Sequence, residues 1–323
     1  MGTMKSVQTV AFILVALLAT PNVGGAAENG TAYDVVSYSG QGASRSDPGD
    51  FDADFQAAQA PLTIPKFDAT DPSKALADVQ AMISRMAQVG MAARYYVAGS
   101  RQRFDSIAFQ QATITDCATR TVVQLDYKTK TYTSSSLGDA SRGPASTTPL
   151  PSYAMKVAVE ALGPKMFGGV ATDGYAAAIA ATYTPAAGSP PTGALPAGSP
   201  MMMNFVMTEY FTKQAVSTPS CVSDATIAAV RGIDNSVGAV AAGDQFASLI
   251  RGAQGLDPHV KTEITGATMP TGRIPLFMTT TFQIANGPPG FPDFGYSMEF
   301  GHIRVISSDD PAFTIPADFT KAP

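Results

Sequence analysis

Residues 94–135 carry the pattern that most restricts the fold of this chain. Aromatic and β-branched runs at 95–97, 122–125 and 132–133 are separated by Gly, Asp and Lys residues that favour turns. Antiparallel strands are joined by short hairpins and bury one face, so they need runs of this kind between polar turns. The stretch therefore predicts an antiparallel meander, and the remaining elements are interpreted as additions to it.

The amino terminus has the pattern of a secretory signal. Lys5 supplies a positive charge, residues 10–19 form an apolar run, and small residues at 25–27 suit a signal peptidase. A run of about ten residues at a rise of about 1.5 Å is too short for a bilayer core of roughly 30 Å, so a signal peptide over 1–27 is favoured over a membrane anchor. We expect a periplasmic or secreted protein that does not span a membrane after signal cleavage.

Composition favours a large folded body over a disordered chain. Apolar residues make up 45% of the 323 residues and charged residues only 15%, while 29 Gly and 24 Pro indicate many turns. The net charge of -5, with dispersed basic residues, gives no electrostatic footprint for nucleic acid. We expect a flexible arm at 28–70, with one strand at 33–38, and then a single β-rich domain at 71–323.

Helices are predicted on either side of the meander. Asp71 suits an N-cap, Pro72 suits a first turn, and Gly90 suits the end of an amphipathic helix over 71–90. The apolar stripe of this helix lies at residues 76, 79, 83 and 86. Further helices are predicted at 152–162 and, from helical spacing of apolar residues, in the segment 223–252.

More strands are predicted after the meander, where apolar and polar residues alternate or β-branched residues cluster. They lie at 174–184, 201–211, 259–267, 276–284 and 296–307. A Pro- and Gly-rich insertion at 185–200 separates the first two. The chain is thus predicted to be of the α+β class, with an antiparallel sheet covered by helices.

The two cysteines, Cys117 and Cys221, are predicted to form a disulfide. Pairing is the default in an oxidising compartment, and a loop of about a hundred residues would stabilise the fold by roughly 4 to 5 kcal/mol in the chain-entropy model. Two cysteines and two distant histidines form no spaced metal motif.

Titratable residues give no recognisable catalytic motif. His259 lies in a turn beside Pro258, and His302 lies in a strand, where Glu299 three positions away is expected to point to the opposite face. Both histidines are interpreted as structural or surface residues, and no enzymatic activity is predicted. A secreted hydrolase whose groups assemble only in space stays an open alternative.

Methionines near residue 201 invite a comparison with copper sites, because thioether sulfur is a soft ligand. On a strand, however, Met201, Met203 and Met207 share a face with Phe205, which is typical of core packing or an adaptable apolar cavity wall. No cofactor and no metal are predicted.

The leading helix, the strand YYVAGSRQRFDS, the hairpin VVQLDYKTKTYT and the closing FTIPADFTKAP together resemble a family of exported proteins. These are the lipoprotein-carrier-like half-barrels of the LolA and LppX type and their uncharacterised periplasmic relatives. The similarity covers residues 76–133 and 261–319. It implies a curved antiparallel sheet wrapped over helices, with an apolar cavity between them that accepts acyl chains, and it implies no catalytic residue.

Two non-enzymatic functions are therefore favoured over the hydrolase alternative. A carrier or sensor of an apolar or lipid-like ligand needs a cavity between sheet and helices. The candidate lining residues are Ile83, Met86, Val123, Leu125, Met203 and Phe205. An envelope interaction or structural protein needs a filled core and an exposed apolar patch or edge strand for a protein partner.

Overall fold

The computed structural model describes residues 29–40, 45–62, 72–137, 152–184, 200–215, 260–270, 273–284 and 294–322. Over these ranges the chain forms one thirteen-stranded sheet. Two α-helices accompany it, α1 (Phe51–Ala58) and α2 (Pro72–Gln88), together with a short 3-10 helix, Pro311–Phe313.

The strands fall into a short-strand and a long-strand group. The short group is β2 (Met91–Ala98), β3 (Arg101–Ser106), β4 (Gln111–Asp116), β5 (Thr121–Asp126) and β6 (Thr131–Ser136). The other main strands are β1 (Asn29–Gly40), β7 (Ser152–Phe167), β8 (Val170–Thr184), β9 (Met201–Ala215), β11 (Arg273–Ile284) and β12 (Phe294–Ser307). Two shorter strands, β10 (Val260–Gly266) and β13 (Thr320–Lys321), form the edges.

The order across the sheet is β10-β7-β8-β9-β11-β12-β1-β2-β3-β4-β5-β6-β13. Neighbours pair antiparallel except at the edges, where β10 joins β7 and β13 joins β6 in parallel. The predicted antiparallel sheet is therefore confirmed as the main component of a larger mixed sheet. Because β10 and β13 lie at opposite ends of that order, the sheet is open, and the half-barrel closed by helices stays a prediction.

The meander is built from a ten-residue repeat. Strands β3 to β6 begin at residues 101, 111, 121 and 131, and each is six residues long. Two of the turns use an aspartate at the strand end, since Asp116 and Asp126 each accept hydrogen bonds from the backbone N–H groups two and three residues later. Arg120 and Lys130 close these turns with positive φ, which brings the chain back into register.

The sheet has two faces that we name by what lies on them. On the helix face, Val36 and Tyr38 of β1 pack with Phe55 and Ala58 of α1. The segment after β12 packs on the same face, where Phe313 contacts the cluster around Tyr96. The opposite side, the methionine face, carries Met203, Met207, Met278 and Met298.

Rows of mostly apolar residues cross the long strands on the methionine face. One row is Ile179, Phe205, Phe282 and Phe294, which pair in that order across β8, β9, β11 and β12. The next row is Ala177, Met207, Thr280 and Tyr296, and the third is Tyr175, Glu209, Met278 and Met298. Strand alternation thus brings residues far apart in sequence onto one surface.

Two predictions of secondary structure are wrong. The strand predicted at 33–38 is confirmed within β1, but residues 29–40 pair with β12 and β2 and residues 51–58 form α1, so these two segments are not a flexible arm. The helix at 152–162 is instead part of β7, because Met155, Val157 and Val159 alternate onto one face and pair with β8. Tertiary pairing on both sides of β7 overrides its alanine-rich helix propensity.

Other predictions agree with the described residues or fall outside them. The helix at 71–90 is confirmed as α2, and Gly90 follows it with a φ of +80°. The predicted signal peptide at 1–27, the insertion at 185–199, the helical segment at 223–252 and His259 lie outside the described residues. Neither described helix combines the length and the hydropathy that crossing a membrane requires.

Candidate functional site

A β-bulge places His302 on the helix face. The pairing of β1 with β12 shifts register between Ala32 and Asp34, and His302 has a φ of +50°, which is uncommon outside glycine. His302 Nδ1 lies 2.9 Å from Asp34 Oδ2, and Nε2 lies 2.7 Å from Asp52 Oδ1 of α1. The imidazole therefore bridges the sheet and the first helix.

The surroundings of the bridging imidazole favour its charged form. Both ring nitrogens face carboxylate oxygens, which only accept hydrogen bonds, so both nitrogens donate. The hydrogen bond that the ring donates to Asp34, with a further one donated to Asp52, raises the pKa of His302 above its ordinary value. An imidazolium bonded at both nitrogens offers no lone pair for proton abstraction, and its place between two elements suits a clamp.

Two arginines on the helix face are each paired with an aspartate. Arg94 makes a bidentate ion pair with Asp34, and Arg103 makes one with Asp105. Arg103 also donates to the carbonyl of Ala312, so the network ties the meander to the segment after β12. These pairs hold the elements together without leaving a reactive group free.

Glu299 is a fully buried carboxylate with partners on the helix face. Its Oε1 accepts from Arg45 Nη1 at 2.8 Å and its Oε2 accepts from the Gly49 N–H at 3.1 Å. Burial raises the pKa of Glu299, and the bonds from Gly49 and Arg45 oppose that rise. The prediction that Glu299 and His302 point to opposite faces is wrong, because the bulge moves His302 onto the face of Glu299.

Glu209 is the counterpart of Glu299 on the methionine face. Its side chain is 0% exposed, and neither carboxyl oxygen has a hydrogen-bond partner anywhere in the described part of the chain. Burial alone raises the pKa of Glu209 to about 8. The carboxyl group is therefore mostly neutral at pH 7, in a row with Tyr175 and Met278.

A second polar group without a partner lies beside Glu209. Thr280 pairs with Met207, which precedes Glu209 by two residues, so Thr280 and Glu209 are diagonal neighbours on one face, about 7 Å apart between Cα atoms. Among the described residues, the buried hydroxyl of Thr280 also finds no partner. Two unsatisfied polar side chains thus lie together inside an apolar surface, which is uncommon in folded proteins.

The structure does not bring the six predicted cavity residues together. Val123 and Leu125 lie on β5 and face the helix side, in or against the cluster that holds Ala112 and Ile114. Met203 and Phe205 lie on β9 and face the methionine side. By strand count, β5 and β9 are seven steps apart, or roughly 34 Å.

The two helical candidates lie apart from both strand pairs. Ile83 of α2 packs near Gly40, and Met86 packs against the cluster of Leu62 and Met91. A single cavity lined by all six residues is therefore wrong. Sequence reasoning treated the sheet as having one buried side, whereas both sides are partly covered.

Sequence reasoning also missed Glu209 and Thr280. The available signal was the alternation in β9, since Glu209 continues the series Met203, Phe205 and Met207 at steps of two residues. An acidic residue in register with apolar ones marks a buried carboxyl. Thr280 could not be placed beside it without the pairing of β9 with β11.

Only one of the two cysteines of the predicted disulfide lies within the described residues. Cys117 is a half-cystine in the turn between β4 and β5. Cys221 lies outside the described residues, so the pairing of the two cysteines stays a prediction. Within the described ranges, no group of three or more His, Cys, Asp or Glu side chains is arranged to hold a metal ion.

Comparison of the chain with protein-family models, curated proteins and solved structures found no significant match. The resemblance to lipoprotein-carrier-like half-barrels accordingly stays a prediction. Function has to be argued from the residues on the two faces.

Proposed function

We propose that this protein binds an apolar, lipid-like ligand on the methionine face of its long strands. The observation that carries this proposal is the series of Met and Phe side chains along one face of β9, which ends at the carboxyl of Glu209. Among the described residues that carboxyl has no hydrogen-bond partner. Ligand sites are mostly apolar and contain a few convergent polar groups. The proposed occupant is a long-chain amphiphile, as the half-barrel resemblance also implies.

Methionine content supports binding over simple core packing. Met155, Met207 and the flanking Met201, Met203 and Met269 belong to one cluster with Phe205 and Phe282. Methionine side chains are unbranched and adapt to irregular shapes, so surfaces rich in them accept varied apolar partners. The half-barrel that the resemblance implies would instead enclose its ligand between the sheet and the helices, so its curvature is a separate proposal.

Export to the periplasm or outside the cell is part of the same proposal. A chain that carries a cleaved signal would meet lipids in the envelope and would keep Cys117 oxidised. The signal itself is tested by the amino-terminal sequence of the mature protein, which we expect to begin near Ala27 or Glu28.

Purified full-length mature protein provides the test of binding. Native mass spectrometry before and after organic extraction would show whether a lipid co-purifies, and titration with the neutral dye N-phenylnaphthylamine would measure binding to the extracted protein. We expect about one bound species per chain and saturable dye fluorescence. A protein without co-purifying lipid that also takes up no dye would overturn the proposal.

Adjacent methionines offer a matched pair for locating the site. Met203 faces the apolar rows, whereas Met202 points to the other side and is 47% exposed. We expect Met203→Gln to weaken dye binding about tenfold, equivalent to about 1.4 kcal/mol, and Met202→Gln to leave it unchanged. Equal effects of the two substitutions would contradict placement of the ligand on the methionine face.

A second candidate function rests on the opposite side of the same strands. Val206 is 55% exposed there, and it pairs with exposed Ala178, which in turn pairs with exposed Ala158. A flat apolar surface of this kind suits a protein partner in the envelope. Val206→Glu would abolish such an interaction in a pull-down while leaving dye binding intact, and an unchanged pull-down would exclude this surface.

A further inference from the structure

We propose, on the basis of the proposed function, that Glu209 and Thr280 anchor the ammonium group of a long-chain alkyl amine. The ligand class is thus a cationic amphiphile with one nitrogen head group. Its chain would lie along the side chains that precede Glu209 on the same face of β9.

The number of unsatisfied atoms matches this head group. Both oxygens of Glu209 and the hydroxyl of Thr280 are buried and, among the described residues, without partners. A primary ammonium carries three N–H donors, which is the number of acceptor oxygens that these two side chains present when Glu209 gives up its proton. An alcohol brings only one donor and leaves part of the cluster unsatisfied.

Charge also favours a cation over an anion. Only burial shifts the titration of Glu209, so no basic side chain of the described residues compensates its charge. A carboxylate ligand would bring its own negative charge into an apolar surface that offers it no positive partner, which is unfavourable. An ammonium instead supplies the missing positive partner when Glu209 ionises.

The apolar path has a suitable length. From Glu209 the same face of β9 presents Met207, Phe205 and Met203 in turn, a distance of six residues or about 20 Å. An extended alkyl chain of a long-chain amine fits along such a path. Met207 and Met203 can change rotamer to admit it, because methionine has three flexible side-chain bonds.

A chain-matched series of ligands tests the anchor. Dodecylamine, dodecanol and dodecanoate have equal chains and differ in the head group, and each is measured by displacement of N-phenylnaphthylamine from the full mature protein. We expect dodecylamine to displace the dye at a concentration at least tenfold below that of dodecanol, with dodecanoate weakest. In Glu209→Gln the advantage of dodecylamine over dodecanol should fall to within twofold.

Two further variants separate the anchor from general effects. Thr280→Val should reduce the preference for dodecylamine about threefold to fivefold, since one acceptor is lost. Glu160→Gln, which changes an exposed acid on β7, should leave the preference at its full value. Saturable binding of N-phenylnaphthylamine by each variant shows that the fold and the apolar site are intact.

The outcomes distinguish this inference from the proposed function. If the dye binds and dodecanol displaces it as well as dodecylamine does, or if Glu209→Gln keeps the amine preference, the anchor is wrong and apolar binding stands. If neither the dye nor any of the three ligands binds, both the proposed function and the ammonium anchor are wrong.

Discussion

Two glutamates with the same burial lie on opposite faces of this sheet and differ in their surroundings. Glu299 and Glu209 are both 0% exposed. Glu299 accepts hydrogen bonds from Arg45 and Gly49 on the helix face, whereas Glu209 has no partner among the described residues of the methionine face. A paired buried carboxylate helps to hold the fold together. An unpaired one lowers the stability of the folded state, so a role other than stability has to explain it.

We therefore interpret the helix face as the structural side of the molecule. His302, Asp34 and Asp52 join α1 to β1 and β12, and Arg103 connects the meander to the segment after β12. We interpret the methionine face as the binding side, because Glu209 and Thr280 have no hydrogen-bond partner there among the described residues. Substitutions that act on one face at a time test this difference between the two faces.

The largest effect is expected from Glu209→Gln. Because the pKa of Glu209 rises from 4.5 to about 8 on folding, the folded state binds the proton more tightly, and wild-type stability falls as pH rises from about 4.5 to 8. At pH 8 the glutamine variant should be more stable by about 4 kcal/mol, and at pH 4.5 the two proteins should agree within about 0.5 kcal/mol. Urea unfolding at both pH values measures this, and no stabilisation at pH 8 would mean that Glu209 has a partner.

The opposite sign is expected for the partner of Glu299. Arg45→Met removes the guanidinium that bonds both Glu299 and Asp54, and it leaves a buried carboxylate with the Gly49 N–H alone. We expect a loss of about 2 to 3 kcal/mol at pH 7. Lys74→Met, which breaks the exposed pair with Asp78, is the control and should cost less than about 0.5 kcal/mol. A loss no larger than that of the control would contradict the structural role of Glu299.

Two buried threonines test the same contrast with a smaller change. Thr280 has an unsatisfied hydroxyl, whereas Thr212 donates to the carbonyl of Ile274 at 3.1 Å. Valine has nearly the same shape as threonine, so Thr280→Val should stabilise the protein by about 1 kcal/mol and Thr212→Val should destabilise it by about 1 kcal/mol. Thermal unfolding of both variants checks the signs, and equal signs would show that the two hydroxyls have similar surroundings.

The smallest effect concerns the clamp at His302. Its folded pKa is raised above 6.5, so its contribution is complete below pH 6.5 and is lost as pH rises through the folded value. Nearly half of the side chain is exposed, so the loss should stay below about 1 kcal/mol. This loss of stability with rising pH is measured in the Glu209→Gln background, where Glu209 no longer titrates. His302→Asn should remove it, and asparagine tolerates the positive φ at this position. A pH dependence that survives in the asparagine variant would assign it to another group.

Sequence reasoning recovered the parts of the fold that local patterns encode. The strands of the meander, the helix α2 with Gly90 at its end, and most later strands follow from turn residues and alternation. The strand β4 was passed over, although it obeys the ten-residue repeat that the Asp116 and Asp126 turns set. A repeat search across 101–136 would have found it.

What sequence reasoning lost depends on pairing between distant strands. The central position of β1 follows from its contacts with β12 and β2, more than fifty residues away on either side, and no local pattern gives that order. The misplaced helix at β7 has the same cause. Likewise, the bulge that puts His302 and Glu299 on one face is a property of two strands together.

The most direct test of the central claim is the titration of the Glu209 carboxyl itself. Carbon-13 NMR of glutamate side-chain carboxyl groups, assigned with Glu209→Gln, follows its protonation with and without dodecylamine. We expect a neutral carboxyl at pH 6 with a pKa of about 8 in the free protein, and conversion to the carboxylate when dodecylamine binds. A pKa near the ordinary 4.5 in the free protein would show that Glu209 is solvated or paired, and would contradict the contrast between the two faces.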